Sequence, residues 1–135
     1  MIGPKNFSAL TNALLNGIPD ARAEAAGDLR YMTPRDAPVP VLLQALNDPD
    51  PEVRSNAAGS LAFLRCNLNE VVPALIRCLA ESNAMVRVSA AQNLGWLQQD
   101  AASALPALAK LQHETSDATD EMKIIEAMRE TGGGK

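Results

Sequence analysis

The chain has few aromatic residues and a single histidine. The first scarcity bears on the fold class, and the second bears on whether the chain has a catalytic site. Aromatic residues make up 3% of the 135 residues, while 47% are hydrophobic, with alanine and leucine prominent among them. This mixture favours closely packed helices over sheets, which are richer in β-branched and aromatic residues. One histidine, His113, offers little support for a Ser-His-Asp or Cys-His relay, so we expect no catalytic residues.

Cysteine, basic charge and long apolar runs are also scarce. Two cysteines, Cys66 and Cys78, do not make the disulfide framework of a secreted domain, so we expect a cytoplasmic protein. No run of about 20 apolar residues is present to cross a membrane. The formal net charge of -4 and the pI of about 4.9 argue against a phosphate-backbone binder. We therefore expect neither a nucleic acid nor a membrane as partner, and no motif indicates a metal or a cofactor.

A first segment recurs along the chain with shifts of 32 to 34 residues. Its clearest copies are Arg54-Ser-Asn-Ala-Ala-Gly-Ser-Leu-Ala-Phe-Leu64 and Arg87-Val-Ser-Ala-Ala-Gln-Asn-Leu-Gly-Trp-Leu97, and related copies begin at Arg22 and Glu121. The apolar residues fall at helical spacing, so each copy predicts an amphipathic helix, here called a first-type helix. The predicted N-caps are the polar residues Asp50, Asn83 and Asp117.

A second segment lies between these copies. Val39-Pro-Val-Leu-Leu-Gln-Ala-Leu46 aligns with Val72-Pro-Ala-Leu-Ile-Arg-Cys-Leu79, and related copies begin at Phe7 and Leu105. The proline stands near the expected helix start, where a helix tolerates it, and we call these second-type helices. Helices of about 12 residues are marginal alone in water, so the two types must pack against each other.

The alternation predicts an all-α fold, an α-solenoid of about seven helices stacked as antiparallel pairs. We expect a single domain over residues 1–131. Its expected parts are a capping helix at 4–16, repeats at about 19–48, 50–81 and 83–114, a C-terminal helix at 117–130, and a flexible tail at 132–135.

One stretch also carries a family resemblance. Asp48-Pro-Asp-Pro-Glu-Val-Arg54, followed by Ala57-Ala58 and Leu61, resembles the short HEAT-like repeat, the type also found in phycobilin lyases. The resemblance extends over about residues 19–128, and the last copy departs from it because Glu121 stands where the repeat has arginine. In this family the repeats build scaffolds for protein–protein contact, so the resemblance implies a binding surface rather than a reaction.

Three arginines, Arg22, Arg54 and Arg87, recur at one position near the start of the first-type helices. Helical phase places them close to the buried stripe, so we expect them to face the turns between repeats. There they are expected to bridge the N-cap residues or unpaired carbonyl groups, with Glu121 as a partner of Arg87. We call this set, with its N-caps, the arginine ladder, and ligand binding by the arginines is the alternative interpretation.

The second-type helices line the concave side in solenoids of this kind. Their residues off the buried stripe form a predicted polar column of Gln44, Arg77 and Lys110 and an acidic column of Asp48, Glu81 and Glu114. One interpretation is a solvated face with intrahelical ion pairs, each worth about 0.2–0.5 kcal/mol. The other is a shallow groove for a partner peptide or helix, which the small residues Ala74 and Ala107 let approach closely.

Three of the four aromatic residues occupy the same repeat position, turned away from the core: Tyr31, Phe63 and Trp96. We call them the aromatic row. Aromatic side chains are enriched as interface anchors, so a row on the convex edge predicts a docking site. The alternative is that each ring packs over the adjoining loop or against its neighbour in the next repeat.

These patterns favour a non-catalytic scaffold that binds another protein or peptide. We expect a monomer, or a weak homodimer formed through the terminal helices. The alternative is a relative of the phycobilin lyases that acts on a chromophore-bearing protein. A resemblance to HEAT-like DNA glycosylases fits poorly, because the predicted columns mix both charges and the aromatic residues lie elsewhere.

Overall fold

The computed structural model describes residues 6–132, which form eight α-helices, two 3₁₀ segments and the turns between them. The second-type helices are α1 (Phe7–Asn16), α3 (Val39–Ala45), α5 (Leu68–Cys78) and α7 (Leu105–Glu114). The first-type helices are α2 (Pro19–Asp28), α4 (Pro51–Leu64), α6 (Ala84–Leu97) and α8 (Ala118–Thr131). The 3₁₀ segments are Leu29–Tyr31 and Gln98–Ala104. The all-α, solenoid fold class is confirmed, with a helix count close to the expected seven.

Short polar side chains begin three of the first-type helices. Asp50, Asn83 and Asp117 are the N-caps of α4, α6 and α8, and each accepts a first-turn backbone N–H, at 2.8, 3.2 and 2.9 Å. These N–H groups have no carbonyl partner inside the helix, so the cap oxygen satisfies a donor that burial would otherwise leave unpaired. Ile18 precedes α2 without a side-chain cap bond, and there Pro19 supplies the first helical turn.

The start of α1 differs from the expected residue 4. Asn6 has extended backbone and its Oδ1 accepts the N–H of Ala9 at 2.8 Å, so the helix begins at Phe7. Residues 4 and 5 lie outside the described part of the chain. At the other end, α8 continues to Thr131, and only Gly132 of the expected flexible tail is described.

One proline does not stand near a helix start. Pro73 lies inside α5, whereas Pro40 lies in the first turn of α3. The extra turn of α5 forms because the Asn67 carbonyl accepts the backbone N–H groups of Glu70 and Val71. These bonds lie ahead of Pro73, whose missing N–H does not affect them.

The chain groups into two compact units, Met1–Cys66 and Asn67–Lys135. In the first unit, α2 packs against α1 and α4, and α3 packs against α4. In the second unit, α6 packs against α5 and α8, α7 packs against α8, and the 3₁₀ segment Gln98–Ala104 contacts all four helices. Each unit thus joins two first-type helices that are one repeat apart. The expected single domain over residues 1–131 stays a prediction.

The core is built from aliphatic side chains and alanine. Leu61 of α4 and Leu94 of α6 occupy equivalent repeat positions and are completely buried, and so are the alanine pairs Ala57-Ala58 and Ala90-Ala91. Alanine at these positions lets neighbouring helices approach closely while it still removes apolar surface from water. The low aromatic content therefore suits the packing that the repeats require.

Side-chain hydrogen bonds join α2 to α4. Asn56 Nδ2 donates to the Ala23 carbonyl oxygen at 2.9 Å. The buried hydroxyl of Ser60 donates to the carbonyl oxygen of Ala26. Both bonds run from a side chain of one first-type helix to the main chain of the preceding one. They fix the register of these two helices in addition to apolar packing.

Candidate partner-binding surfaces

Arg22 forms a two-pronged ion pair inside the first unit. Its Nε donates to Asp48 Oδ2 at 2.9 Å, and its Nη2 donates to Asp48 Oδ1 at 3.1 Å. A third bond runs from Nη1 to the Gly17 carbonyl oxygen at 3.0 Å. The side chains of Arg22 and Asp48 are 17% and 11% exposed, so water screens the pair only in part. This geometry joins the start of α2 to the turn that follows α3.

The ion pair shifts both ionisation equilibria. Partial burial by itself raises the pKa of Asp48, but hydrogen bonds from the Arg22 guanidinium and from the Asp50 backbone N–H outweigh it. The pKa of Asp48 therefore lies below its ordinary value. The hydrogen bond to Asp48 raises the pKa of Arg22, with burial opposing it. Both groups are charged at neutral pH, so the pair carries no net charge there.

Arg54 and Arg87 bind main-chain oxygens of the turn that precedes their own helix. Nη1 of Arg54 donates to the carbonyl oxygens of Asp48 and Pro49, at 2.8 and 3.1 Å. Nη1 of Arg87 donates to those of Glu81 and Ser82, both at 2.8 Å. These carbonyls follow the last turn of a second-type helix and have no helical N–H to accept. Each arginine thus braces the turn between its own repeat and the preceding one.

The arginine ladder has the carbonyl partners that we expected, but the expected N-cap partners need correction. The carboxylate that pairs with Arg22 belongs to Asp48, which was assigned to the acidic column, and not to Asp50. The N-cap residues use their side-chain oxygens on first-turn N–H groups instead. Glu121 accepts from Gln112 Nε2 at 3.4 Å, and Arg87 bonds to the turn described above rather than to Glu121.

The two predicted columns are exposed to different degrees. Gln44 of the first unit is exposed, as are Arg77, Lys110 and Glu114 of the second unit, while Glu81 is half-buried. Ala74, expected to let a partner approach, is buried at 4% exposure, because α5 turns this position inward. The exposed residues of the two columns are therefore polar, and the small residue Ala74 is not accessible to a partner.

An open groove of about 470 Å³ lies on the first unit beside α1 and α3. Leu14, Leu15, Val41, Ala45 and Pro49 are its apolar lining. The Arg22–Asp48 ion pair and the amides of Gln44 and Asn47 complete the lining. We call this the α1–α3 groove. Of the predicted column residues it contains Gln44 and Asp48, whereas the leucines of α1 were not among the predicted site residues.

The aromatic row is accessible at each of its positions. Tyr31 is 67% exposed, Phe63 37% and Trp96 56%. Tyr31 lies in the 3₁₀ segment after α2, and its ring meets that of Phe63 edge-on, with centroids 5.8 Å apart and planes at 68°. Such edge-to-face contacts stabilise by about 0.5–1.5 kcal/mol beyond burial. Within the first unit, the two rings thus contact each other and remain open to solvent.

Two arginines that the repeat pattern did not single out lie against Phe63. The guanidinium carbons of Arg30 and Arg35 are 5.6 and 6.0 Å from the centroid of its ring. Both distances are within the range in which a guanidinium is attracted to an aromatic face. We call Arg30, Tyr31, Arg35 and Phe63 the arginine–aromatic cluster.

The reactive residue types are dispersed. His113 is exposed near the end of α7, Cys66 is half-buried with its thiol 3.3 Å from the Leu64 carbonyl oxygen, and Cys78 is buried. Within residues 6–132, no three His, Cys, Asp or Glu side chains group in a way that would hold a metal ion. No helix in that range has the length and apolar character to cross a bilayer.

The comparison with protein families assigns a repeat type to this architecture. The family model described as HEAT repeats matches the chain twice, over residues 7–83 and 39–129. The two matches overlap and together span all eight helices except the last residues of α8. A comparison with curated proteins found no match.

Proposed function

Because the chain belongs to the HEAT-repeat family, we propose that it is a non-catalytic scaffold that binds another protein through the exposed side chains of its helices. The observation that carries this proposal is the α1–α3 groove, which opens to solvent and has apolar residues in its lining. Leu15 in its wall is 54% exposed, and the neighbouring Ile18 is 71% exposed. Accessible apolar side chains that adjoin a polar rim are typical of protein-binding sites.

The groove offers both parts of a peptide-binding site. Its leucine, valine and alanine side chains provide an apolar surface for one or two side chains of a partner. The exposed amide of Gln44 presents a donor and an acceptor to the main chain of that partner. The Arg22–Asp48 pair is internally neutralised, so the groove does not select for charge.

A groove variant tests the proposal. Leu15→Glu combined with Gln44→Glu places two carboxylates in the lining at exposed positions, where the fold tolerates them. Tagged wild-type and variant proteins are expressed in cells of the native source, and retained proteins are quantified by mass spectrometry. We expect at least one protein that the wild type retains to be depleted about tenfold or more in the variant, the loss typical of a disrupted anchor.

Two further double variants locate the binding surface. Arg77→Glu with Lys110→Glu reverses the charge of the exposed polar column of the second unit and tests that predicted surface. Phe63→Ala with Trp96→Ala removes two members of the aromatic row. Far-UV circular dichroism checks that each variant keeps its helices. If all three double variants retain the same proteins as the wild type, the scaffold proposal is rejected.

The phycobilin lyase alternative makes a different prediction. A chain that holds a bilin shifts the absorbance of that pigment on mixing, and a protein scaffold leaves it unchanged. No observation within residues 6–132 favours the bilin alternative, and we retain the scaffold as the proposed function.

A further inference from the structure

The arginine–aromatic cluster is held in place by main-chain bonds. Nη2 of Arg35 donates to the carbonyl oxygens of Phe63 and Leu64, at 3.1 and 2.8 Å, at the C-terminal end of α4. Nε of Arg30 donates to the Gly27 carbonyl oxygen at 3.0 Å. Both guanidinium groups are therefore fixed beside the Phe63 ring before any partner arrives. A preformed site loses less conformational entropy on binding than a mobile one does.

Both arginines keep donors that the described protein does not use. Arginine has five N–H donors. Within residues 6–132, the Nη groups of Arg30 and the Nε and Nη1 groups of Arg35 make no hydrogen bond. Asp36, the exposed carboxylate next to Arg35 in sequence, forms no ion pair with either guanidinium in that range. Two cationic groups with spare donors thus lie beside exposed aromatic surface.

Tyr31 and Phe63 add the apolar part of the site. Their rings meet edge-on, and both are accessible to solvent, with Tyr31 the more exposed. Arginine, tyrosine and phenylalanine are residue types enriched at the centres of protein interfaces. A ligand that fits must bring acidic groups to the guanidinium groups and an apolar side chain to the rings.

We propose that the arginine–aromatic cluster binds an acidic peptide segment in which carboxylates flank an aliphatic or aromatic residue. The proposal rests on the scaffold function and names the partner chemistry at one of its surfaces. Carboxylates pair with guanidinium groups through short, charge-assisted bonds, which are about twice as strong as neutral ones. The apolar residue between them covers the exposed Tyr31 and Phe63 rings.

Charge distinguishes this occupant from a nucleic acid. A nucleic acid brings a continuous row of phosphates, and such ligands require an extended basic surface. The chain as a whole has a formal net charge of -4, so that a long polyanion would meet repulsion beyond the two arginines. A short acidic segment satisfies the local arginine pair without that penalty.

Direct binding to synthetic peptides tests the proposal. The probe is a short fluorescein-labelled peptide in which glutamates alternate with leucine and phenylalanine, and its control has glutamine in place of every glutamate. Fluorescence anisotropy of the full chain at low salt measures both. We expect the glutamate peptide to bind about tenfold more tightly than the glutamine peptide, and added salt to reduce the difference.

Single substitutions assign that binding to the cluster. Arg30→Gln is expected to weaken the glutamate peptide about fivefold to tenfold, and Arg35→Gln at least as much. Arg30→Gln keeps both Arg35 bonds to the end of α4, so it remains informative if Arg35→Gln lowers the helix content. Arg129→Gln, an exposed arginine of the second unit, is the matched control and is expected to bind as the wild type does.

Three outcomes overturn the proposal: equal binding of the two peptides, binding that Arg30→Gln leaves unchanged, or an oligothymidine of similar length that displaces the glutamate peptide from the wild type at equal concentration. The scaffold function fails separately. If the peptides do not bind while the groove or aromatic-row variants still deplete cellular partners, only the assignment of an acidic ligand is rejected.

Discussion

Arg22 and Asp48, which lie 26 positions apart, form a two-pronged ion pair with Nε–Oδ2 and Nη2–Oδ1 distances of 2.9 and 3.1 Å. The pair connects the start of one repeat to the turn in which its second helix ends. It also contributes to the lining of the α1–α3 groove. A loss of this pair is therefore expected to affect both the stability of the first unit and the shape of its groove.

The pair makes the free energy of unfolding depend on pH in the acidic range. Since the pKa of Asp48 is lower in the folded chain than in the unfolded one, its contribution is complete above the unfolded value of about 3.9 and is lost as pH falls through the lower, folded value. Asp48→Asn is expected to cost about 1–3 kcal/mol at neutral pH and less in acid. Urea unfolding of wild type and variant at about pH 7 and about pH 3 measures both effects.

Asp36→Asn is the control for this titration. Asp36 is exposed and forms no ion pair within residues 6–132, so this variant is expected to follow the wild type at both pH values. A cost of Asp48→Asn that is the same at both pH values would contradict the role given to the ionised carboxylate.

Gly95 marks a close approach of α6 to α8. A Cβ atom placed on Gly95 would lie 3.0 Å from Cα and 3.2 Å from Cβ of Ala127, closer than ordinary van der Waals contact. Gly95→Ala is therefore expected to lower the free energy of unfolding by about 1–3 kcal/mol, as overpacking of a core does. Thermal or urea unfolding followed by circular dichroism measures the change.

Gly27 of α2 provides the opposite case. Within residues 6–132, no atom apart from its chain neighbours and the main chain of its own helix lies within 4 Å of a Cβ placed there, so Gly27→Ala gains helix propensity without a clash. We expect this variant to be more stable than the wild type by about 0.5–1 kcal/mol. Two substitutions of the same type should thus shift the unfolding midpoint in opposite directions, and equal shifts would refute the close approach at Gly95.

Gln98 has a backbone conformation that suits glycine. Its φ of 56° and ψ of -131° lie where a Cβ atom is crowded by the main chain. Gln98→Gly is expected to stabilise the second unit by about 1 kcal/mol. The adjacent Gln99 is exposed and is not among the residues with positive φ, so Gln99→Gly is expected to destabilise it slightly. Unfolding midpoints that move in the same direction for both variants would exclude strain at Gln98.

Arg87 is expected to matter for stability where Arg77 does not. Arg87 donates to two carbonyl oxygens of the turn before α6, whereas Arg77 is exposed on α5. Arg87→Met leaves both carbonyls without that donor and should lower the free energy of unfolding by about 1–3 kcal/mol. Arg77→Met should change it by no more than about 0.5 kcal/mol. Similar costs for the two variants would show that the turn bonds contribute little.

Periodicity was sufficient to predict the helices and their order. The apolar spacing, the polar caps and the alternation of two segments are local properties, and each follows from a window of a few residues. The alanine pairs at equivalent positions of α4 and α6 are buried because the same repeat places them against a neighbouring helix. These features need no knowledge of distant contacts.

The positions of the surface residues depend on contacts between residues far apart in sequence, which no short stretch of sequence contains. Asp48 was assigned to an exposed column because its helical phase points outward, but α3 ends at Ala45 and the residue belongs to the following turn. Arg35 lies between the 3₁₀ segment and α3, in a stretch without a counterpart in the other repeats, so the alignment gave no reason to place it near Phe63. The repeat pattern therefore does not predict the contacts of segments that are not repeated.

The bonds from Asn56 and Ser60 to α2 have a consequence for how such a chain changes over generations. Both side chains bind main-chain oxygens, which every amino acid at Ala23 or Ala26 would present. The joint between adjacent modules therefore does not require matched side chains on both partners. A repeat that keeps its own asparagine and serine can be duplicated, or placed beside a diverged neighbour, and these side chains still have main-chain oxygens to bind.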